Sequence, residues 1–455
     1  MNDITPAAHL QDDSGARLER LAGIAQQVLD LCRAQGATQA EVDCSESLGL
    51  SASVRMGEVE TVESNRDRGV SVTVYFGQRK GAASTGDLAD ASLRSTVDHA
   101  CTIAKYTEAD PAAGLADAAR MAREVRDFDL WHPQPFDAEG AVARALECEQ
   151  AGRDAEPRIT NSDGATMAAS AGVSVYANSH GFVGRERDTG YTLACALIAG
   201  HGDAMQRDGW YTTAIRDDAL ESARAVGRHA AELAVARLDP RPLPTGAMPV
   251  VFAPEVARSL IGHFIGAVSG GALYRHASFL VDHAGKQVFP DWFALVERPH
   301  LAGGFRSTSY DAEGVATRES ALVEGGVLQR YVLGSYSARK LGLSSTANAG
   351  GVHNLDVATN VDGLQAILDR VPRCLLVTEL MGQGVNTVTG DYSRGAAGFL
   401  VEDGQRVHPV DGITIAGNLR EMFMAIEAVG ADIDPRSHIR MGSLLVGRMT
   451  IAGHG

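Results

Sequence analysis

The stretch Ser259–Asp282, "SLIGHFIGAVSGGALYRHASFLVD", has the outline of a helix that could carry metal chemistry. A peptidase zinc helix needs two histidines about one turn apart, so that both imidazoles reach one ion, and a glutamate to activate the bound water. His263 would need its partner near position 259, 266 or 267. Those positions hold Ser259, Gly266 and Ala267, none of them a zinc ligand. Val256, Leu260, Phe264 and Val268, with Ile261 and Ile265 beside them, make one wide apolar face. The opposite side carries Ser259, Gly262, His263, Gly266 and Gly270. Glycine inside a helix costs roughly 1 kcal/mol relative to alanine, so its repetition points to another backbone or a ligand approaching closely. The competing reading is a packed helix whose histidine is satisfied by a hydrogen bond.

A second stretch with chemical content is "TELMGQGVNTVTGDYSRGAAGF". Gly382 and Gly384 stand among small polar residues, and Asp391, Tyr392, Ser393 and Arg394 follow with hydrogen-bonding groups. One reading is a groove that holds an extended peptide, or an edge that meets a partner subunit. The other is a set of tight turns in a β-rich domain. No Gly-Lys-Ser/Thr follows the glycines, so this is not a phosphate loop. No Gly-x-Ser-x-Gly elbow is present, and Cys374 in "PRCLLVTEL" reads as a buried strand residue. His276, His283, His300, His353 and His408 match no compact ligand spacing, which leaves a long-range metal site open.

These residues need a frame. Leu18, Leu21, Ile24, Val28 and Leu31 recur at helical spacing and Gly36 is a stop signal. Short alternating runs broken by Gly, Asn and Asp follow, and they read as an antiparallel meander. A helix near Leu88–Tyr106 closes this block. A second block repeats the order, with helix Ala138–Ala151, strands, and helix Ala219–Ala236. Segment 238–249 holds four of the 15 prolines and reads as a linker. Beyond it come a strand, the opening helix with Pro254 at its first turn, and a Gly-rich, β-leaning remainder with helices near Asp362–Asp369 and Leu419–Ala428. The expected fold is α+β. Residues 1–237 form an N-terminal α+β region with two small mixed subdomains, about 15–110 and 125–237, each with antiparallel strands. A large β-rich domain occupies 250–455.

A chain of 455 residues suits two or three such domains. Its formal net charge of -16, with no run of Lys and Arg, argues against direct nucleic-acid binding or attraction to an anionic membrane. The six cysteines are scattered, with no Cys-x-x-Cys pair. The polar first residues are expected to fray. They lack the charge and apolar pattern of a secretion signal, and no apolar run spans a bilayer. A reduced, cytoplasmic protein is the expectation.

The segment from Leu260 to Asp356 resembles the TldD/TldE group of bacterial peptidase subunits, most closely its PmbA/TldE type, and stretches beyond it carry the resemblance on. The stretches that carry the resemblance are "SGGALYRHASFLVDHAGKQVFPDW", "GSYSARKLGL", "NAGGVHN", "LLVTELMGQGVNTVTGDYSRGAAGFLVEDG" and "ITIAGNL". The N-terminal "VRMGEVETVESNRDRGVSVTVYFGQRKGAAST" fits the same family, so the resemblance covers nearly the whole chain. In that family the TldD subunit carries a His-Glu-three residues-His zinc motif and a cysteine near the C-terminus. Laid on this chain, the first histidine falls on Gly262, the glutamate on His263, the second histidine on Ala267, and the cysteine close to Met441. The resemblance therefore implies a subunit with no cofactor of its own and no catalytic residues. Its partner would be a TldD-type chain that holds the zinc, and the heterodimer would cut unfolded or short peptides. Maturation of a microcin-type peptide and degradation of an antitoxin are linked to the family. So is an older label, modulator of DNA gyrase, to which the acidic balance lends no support as direct DNA binding. Two alternatives remain: a non-enzymatic homodimer that binds peptides or regulates, and a metallopeptidase with a relocated metal site. A homodimer in isolation fits the first reading as well.

Overall fold

The structure is a computed structural model that describes residues 13–453, so the N-terminal residues expected to fray lie outside it. It divides into two compact units. One runs to Val235 and includes Thr308–Thr317; the other comprises Ala236–Ser307 and the chain from Arg318 onward.

Among the described residues of the first unit, helices α1 (Ser14–Ala34), α2 (Asp90–Tyr106), α3 (Ala138–Arg153) and α4 (Ala223–Ala236) accompany six strands. These are β1 (Gln39–Arg55), β2 (Glu58–Phe76), β3 (Arg79–Thr85), β4 (Ile159–Asn178), β5 (Val183–Ala199) and β6 (Gln206–Ala214). Helix periodicity puts Leu21, Ala25, Val28 and Cys32 of α1 on one buried face, against the alternate residues Val42, Cys44, Val72, Val173 and Val175 of the sheet. Both N-terminal blocks contribute antiparallel strands, and those strands join into one sheet of order β3-β2-β1-β4-β5-β6. The join is β1 on β4, with Cys44 opposite Val175. Strand β3 covers β2 only over Val70–Phe76. Helix α4 begins at Ala223, after a turn of 3-10 helix at Asp217–Ala219. The segment 308–317 belongs to this unit through Tyr310, whose ring stands 5.2 Å from that of Phe182.

The second unit is β-rich. Its larger sheet contains β7 (Gly246–Phe252), β12 (Arg373–Met381), β13 (Asp391–Glu402), β14 (Gln405–Asn418), β15 (Ile426–Val429) and β17 (Leu444–Ala452). The order is β14-β13-β12-β7-β17-β15, and β14 also pairs with β17, which closes five of the strands into a ring. Closure removes free edges. A smaller sheet, β10-β9-β8-β11-β16, is built from β8 (Leu295–Glu297), β9 (Ser320–Glu324), β10 (Val327–Leu328), β11 (Leu355–Val357) and β16 (Ile439–Arg440). Among the described residues, helices α5 (Pro254–Ala267), α6 (Gly270–Tyr274), α7 (Ser335–Leu341), α8 (Leu364–Leu368) and α9 (Leu419–Met424) complete the unit. The helix expected over Leu419–Ala428 thus stops at Met424. The apolar run after it turns into β15, whose backbone pairs with β17. Strand pairing there overrides a local pattern that suits either state.

Candidate functional site

Helix α5 sets the site. Pro254 occupies its first turn, and Leu260, Ile261, Phe264 and Ala267 are buried. Phe264 meets Phe289 at 5.0 Å and Phe423 at 5.8 Å, both edge to face, so the helix cannot rotate without disrupting an aromatic cluster. That fixed rotation leaves Gly262 and Gly266 exposed and His263 half-buried at the flank. A Cβ added at Gly262 or Gly266 would meet nothing within 4 Å. The close approach expected of these glycines is therefore not made by this chain. Gly270 differs: a Cβ there would lie 2.2 Å from Ser337 Oγ, so this glycine serves the packing of α6 on α7.

His263 and the start of β13 come together. The His263 ring stands edge-on to that of Tyr392, centroids 5.9 Å apart. Among the described residues, three buried polar atoms in this cluster find no hydrogen-bond partner at good geometry: His263 Nε2, Tyr392 Oη and Arg394 Nε. The reading of His263 as a satisfied packing histidine is therefore corrected, because its Nε2 finds no acceptor or donor. Burial, and next the charge of Arg394, hold the imidazole below its ordinary range, which keeps it neutral. Burial pushes the Tyr392 hydroxyl up to about 12 although Arg394 pulls the other way. Arg394 makes a long bond, Nη2 to Leu380 O at 3.4 Å. Buried polar groups are usually paired, and exceptions in one place mark a site or strain.

The remaining residues of the "MGQGVNTVTGDYSR" stretch divide by role. Gly384 is structural: Ser393 N–H donates to its carbonyl at 2.7 Å, and a Cβ there would lie 2.0 Å from Ser393 O. Gly382 has φ +73° and open space around it. Asp391 is spent locally, accepting from Thr389 Oγ1 at 2.6 Å and Asn418 Nδ2 at 3.2 Å. The Thr389 and Asn418 bonds hold its carboxyl below the usual range. Ser393 is exposed.

Sequence reasoning missed a buried polar network in the same unit. Glu297 is 1% exposed. Its Oε2 accepts from Arg330 Nη2 at 2.5 Å, and its Oε1 from Asn348 Nδ2 at 2.8 Å and His353 N–H at 2.7 Å. This carboxylate pins the "NAGGVHN" loop, and no local pattern around "ALVERP" signals it. His353 is tied by its Nε2 to Ala347 O, and two other histidines weighed as distant ligands are bound to carbonyls: His283 to Val281 and His408 to Pro409. Among the described residues no group of three His, Cys, Asp or Glu side chains is arranged to hold a metal ion.

Three family models match in succession. They describe PmbA/TldA metallopeptidase domain 1 over residues 40–104, the central domain over 131–238, and the C-terminal domain over 245–453. The chain belongs to the PmbA/TldD metallopeptidase family. It is 47% identical over 427 residues to a metalloprotease PmbA homolog of Haemophilus influenzae, with 94% of each chain covered. To the metalloprotease PmbA of Escherichia coli O157:H7 it is 46% identical over 414 residues, covering 91% of this chain and 92% of the relative. A crystal structure from Bacteroides thetaiotaomicron, named as a candidate modulator of DNA gyrase, matches with a TM-score of 0.90 at 26% identity, over 95% of this chain and 99% of that one.

Membership in a metallopeptidase family calls for a test of the residues against zinc. Gly262 and Ala267 offer no donor atom, and the Met441 thioether is fully buried just after β16. His263 supplies one imidazole nitrogen, short of the three or four ligands that zinc takes. The donor set at these positions does not fit the ion. Among the described residues no helix is long and apolar enough to cross a membrane.

Proposed function

We propose that this chain is the zinc-free, PmbA/TldE-type subunit of a two-chain peptidase, paired with a TldD-type chain that carries the zinc. The observation that supports it is the donor chemistry at Gly262, His263, Ala267 and Met441, where a zinc-bearing sister needs two histidines, a glutamate and a cysteine. The chain's contribution is to complete the chamber around the sister's ion and to help hold the peptide. The exposed Gly262–Gly266 face of α5 leaves room for a foreign backbone, and the His263–Tyr392–Arg394 cluster brings unsatisfied polar atoms beside it. Gly382 and Ser393 extend that surface. The substrates are short or unfolded peptides, with microcin-type precursors and antitoxins as the first to try. Six buried free thiols suit a reducing, cytoplasmic setting. In isolation the chain pairs with a second copy, because a surface shaped for a sister of like fold can meet itself.

The deciding experiment is a pull-down from native cells, followed by zinc analysis and peptidase assays with and without the captured partner. A captured chain with a His-Glu-three residues-His motif, and activity only in the pair, is the expected result. Stoichiometric tightly bound zinc and peptidase activity in this chain alone would overturn the proposal.

A further inference from the structure

Where α5 meets the start of β13, three groups able to donate hydrogen bonds gather without an acceptor. His263 is neutral, so its Nε2 can carry the ring proton; Tyr392 Oη and Arg394 Nε each hold a hydrogen to give. Tyr392 is 1% exposed, and among the described residues none of the three atoms has a partner at good geometry. Tyr392 and Arg394 lie two residues apart on β13, so their side chains leave the strand on the same face. Across on β14 stand Gly417 and Ile415, which offer no side-chain acceptor.

The guanidinium also lacks a countercharge. Two carboxylates on the flanking segments, Glu379 and Asp391, are engaged elsewhere: Glu379 by Arg237, Asp391 by Thr389 and Asn418. Among the described residues no carboxylate pairs with Arg394, whose Nη2 reaches only the distant Leu380 carbonyl. Burial acts first on both rings, lowering the imidazole and raising the phenol, and the charge of Arg394 lowers both. A cation drawn partly out of water without a countercharge carries a desolvation cost that an incoming anion offsets.

The donor set defines the anion. One cation beside two neutral donors balances one negative charge, and the planar guanidinium edge matches the two oxygens of a carboxylate. A phosphate dianion would call for further cations. The surroundings define what carries the carboxylate. His263 adjoins Gly262 and lies one turn from Gly266, and an added Cβ at either glycine would meet nothing within 4 Å. Gly382, just past the end of β12, is open as well. A chain whose carboxylate reaches Arg394 can therefore lay its backbone along the glycine side of α5.

We propose that His263, Tyr392 and Arg394 form a binding site for one carboxylate of a peptide, supplied by its C-terminus or by an Asp or Glu side chain. Arg394 provides the charge, and the imidazole and phenol orient the oxygens. The proposal rests on the reading that the α5 face helps to hold a peptide, and it gives that peptide an anionic group.

The test is fluorescence anisotropy with the full-length chain, alone and in the captured pair. Three alanine-serine hexapeptides carry a neutral dye at the N-terminus: a free C-terminal acid, its C-terminal amide, and the amide with one central glutamate. The plain amide is expected to bind at least tenfold more weakly than one of the other two, and the better probe identifies the source of the carboxylate. Arg394→Gln is expected to erase the difference, and Arg394→Lys, which keeps the charge without the fork, to retain part of it. Tyr392→Phe is expected to reduce the preference with the fold intact, which keeps the test decisive if Arg394→Gln does not fold. Equal binding of the three probes, no binding of any, or a preference that survives both Arg394→Gln and Tyr392→Phe would overturn the proposal. Those results would leave the zinc-free subunit reading standing, because zinc content and partner capture are measured separately.

Discussion

The imidazole of His263 meets the phenol ring of Tyr392 edge-on, with centroids 5.9 Å apart and planes at 75°, and among the described residues neither His263 Nε2 nor Tyr392 Oη has a hydrogen-bond partner at good geometry. A buried hydroxyl without a partner is a cost to folding, whereas removing it with the ring retained is close to neutral or stabilising. Tyr392→Phe is therefore expected to raise the stability of the isolated chain by up to about 1 kcal/mol, measured by urea denaturation. A loss of more than that amount would show that the hydroxyl has a partner in the folded chain.

The same histidine gives a metal prediction. His263 is the one conventional zinc donor among Gly262, His263, Ala267 and Met441. His263→Ala is expected to leave the zinc content of the purified chain, and of the complex with its partner, unchanged. Elemental analysis decides it: a fall in zinc on this substitution would bring the relocated-site reading back.

Much of this was legible in the sequence, and what was not has a physical reason. The helical spacing of Leu21 and Val28 and the alternation around Val42 and Cys44 report a buried face, which is a local property. The pairing of β1 with β4, Cys44 opposite Val175, is not local, and alternation cannot say which strand lies beside which. The absence of donors at Gly262 and Ala267 was readable because donor chemistry is a residue-type property. The unpaired state of His263 was not, since it depends on β13 arriving more than a hundred residues later. Glu297 was missed for the same reason: Arg330, Asn348 and His353 reach it from separate segments.

Glycines look alike in a sequence, yet the structure separates two kinds. Gly152 of α3 and Gly227 of α4 let two helices touch: a Cβ at Gly227 would lie 2.0 Å from Cys148 O, and one at Gly152 2.6 Å from Gly227 O. Those obstacles are backbone, so Gly227→Ala is expected to destabilise the chain by about 3 kcal/mol, the upper range for overpacking. Gly262 and Gly266 face open space, so alanine there is expected to add about 0.5–1 kcal/mol per site through helix propensity. Thermal or urea unfolding of the isolated chain checks both signs. If the α5 face receives a peptide or a sister chain, the two stabilising variants should also weaken that association, a split that a purely structural glycine would not produce.

Two glutamates of the first unit give opposite pH dependences. Burial pushes the Glu46 carboxyl up, but a hydrogen bond from Arg66 and the charges of Arg20 and Arg17 outweigh it and hold the group below its usual range. A carboxyl lowered on folding contributes stability that is present above its unfolded value and lost as pH falls through the folded one. Burial raises Glu186 instead, the bond from Thr308 Oγ1 only partly offsetting it, and Asp188 and Asp43 push the same way as burial. The folded chain then binds that proton more tightly than the unfolded chain. Stability accordingly falls as pH rises from the unfolded value through the folded one, and the ionised group is a cost at neutral pH. Glu46→Gln is expected to lose about 1–3 kcal/mol at pH 7, since it takes the carboxylate from the buried Arg17 guanidinium while Arg20 and Arg66 keep their contact with water, and to lose less at pH 4. Glu186→Gln keeps an acceptor for Thr308 and is expected to gain stability at pH 7, with the gain shrinking as the solution is acidified. Urea titrations of both variants at the two pH values test the signs together, and a Glu186→Gln chain less stable than the parent at pH 7 would mean that the ionised carboxylate is needed where it stands.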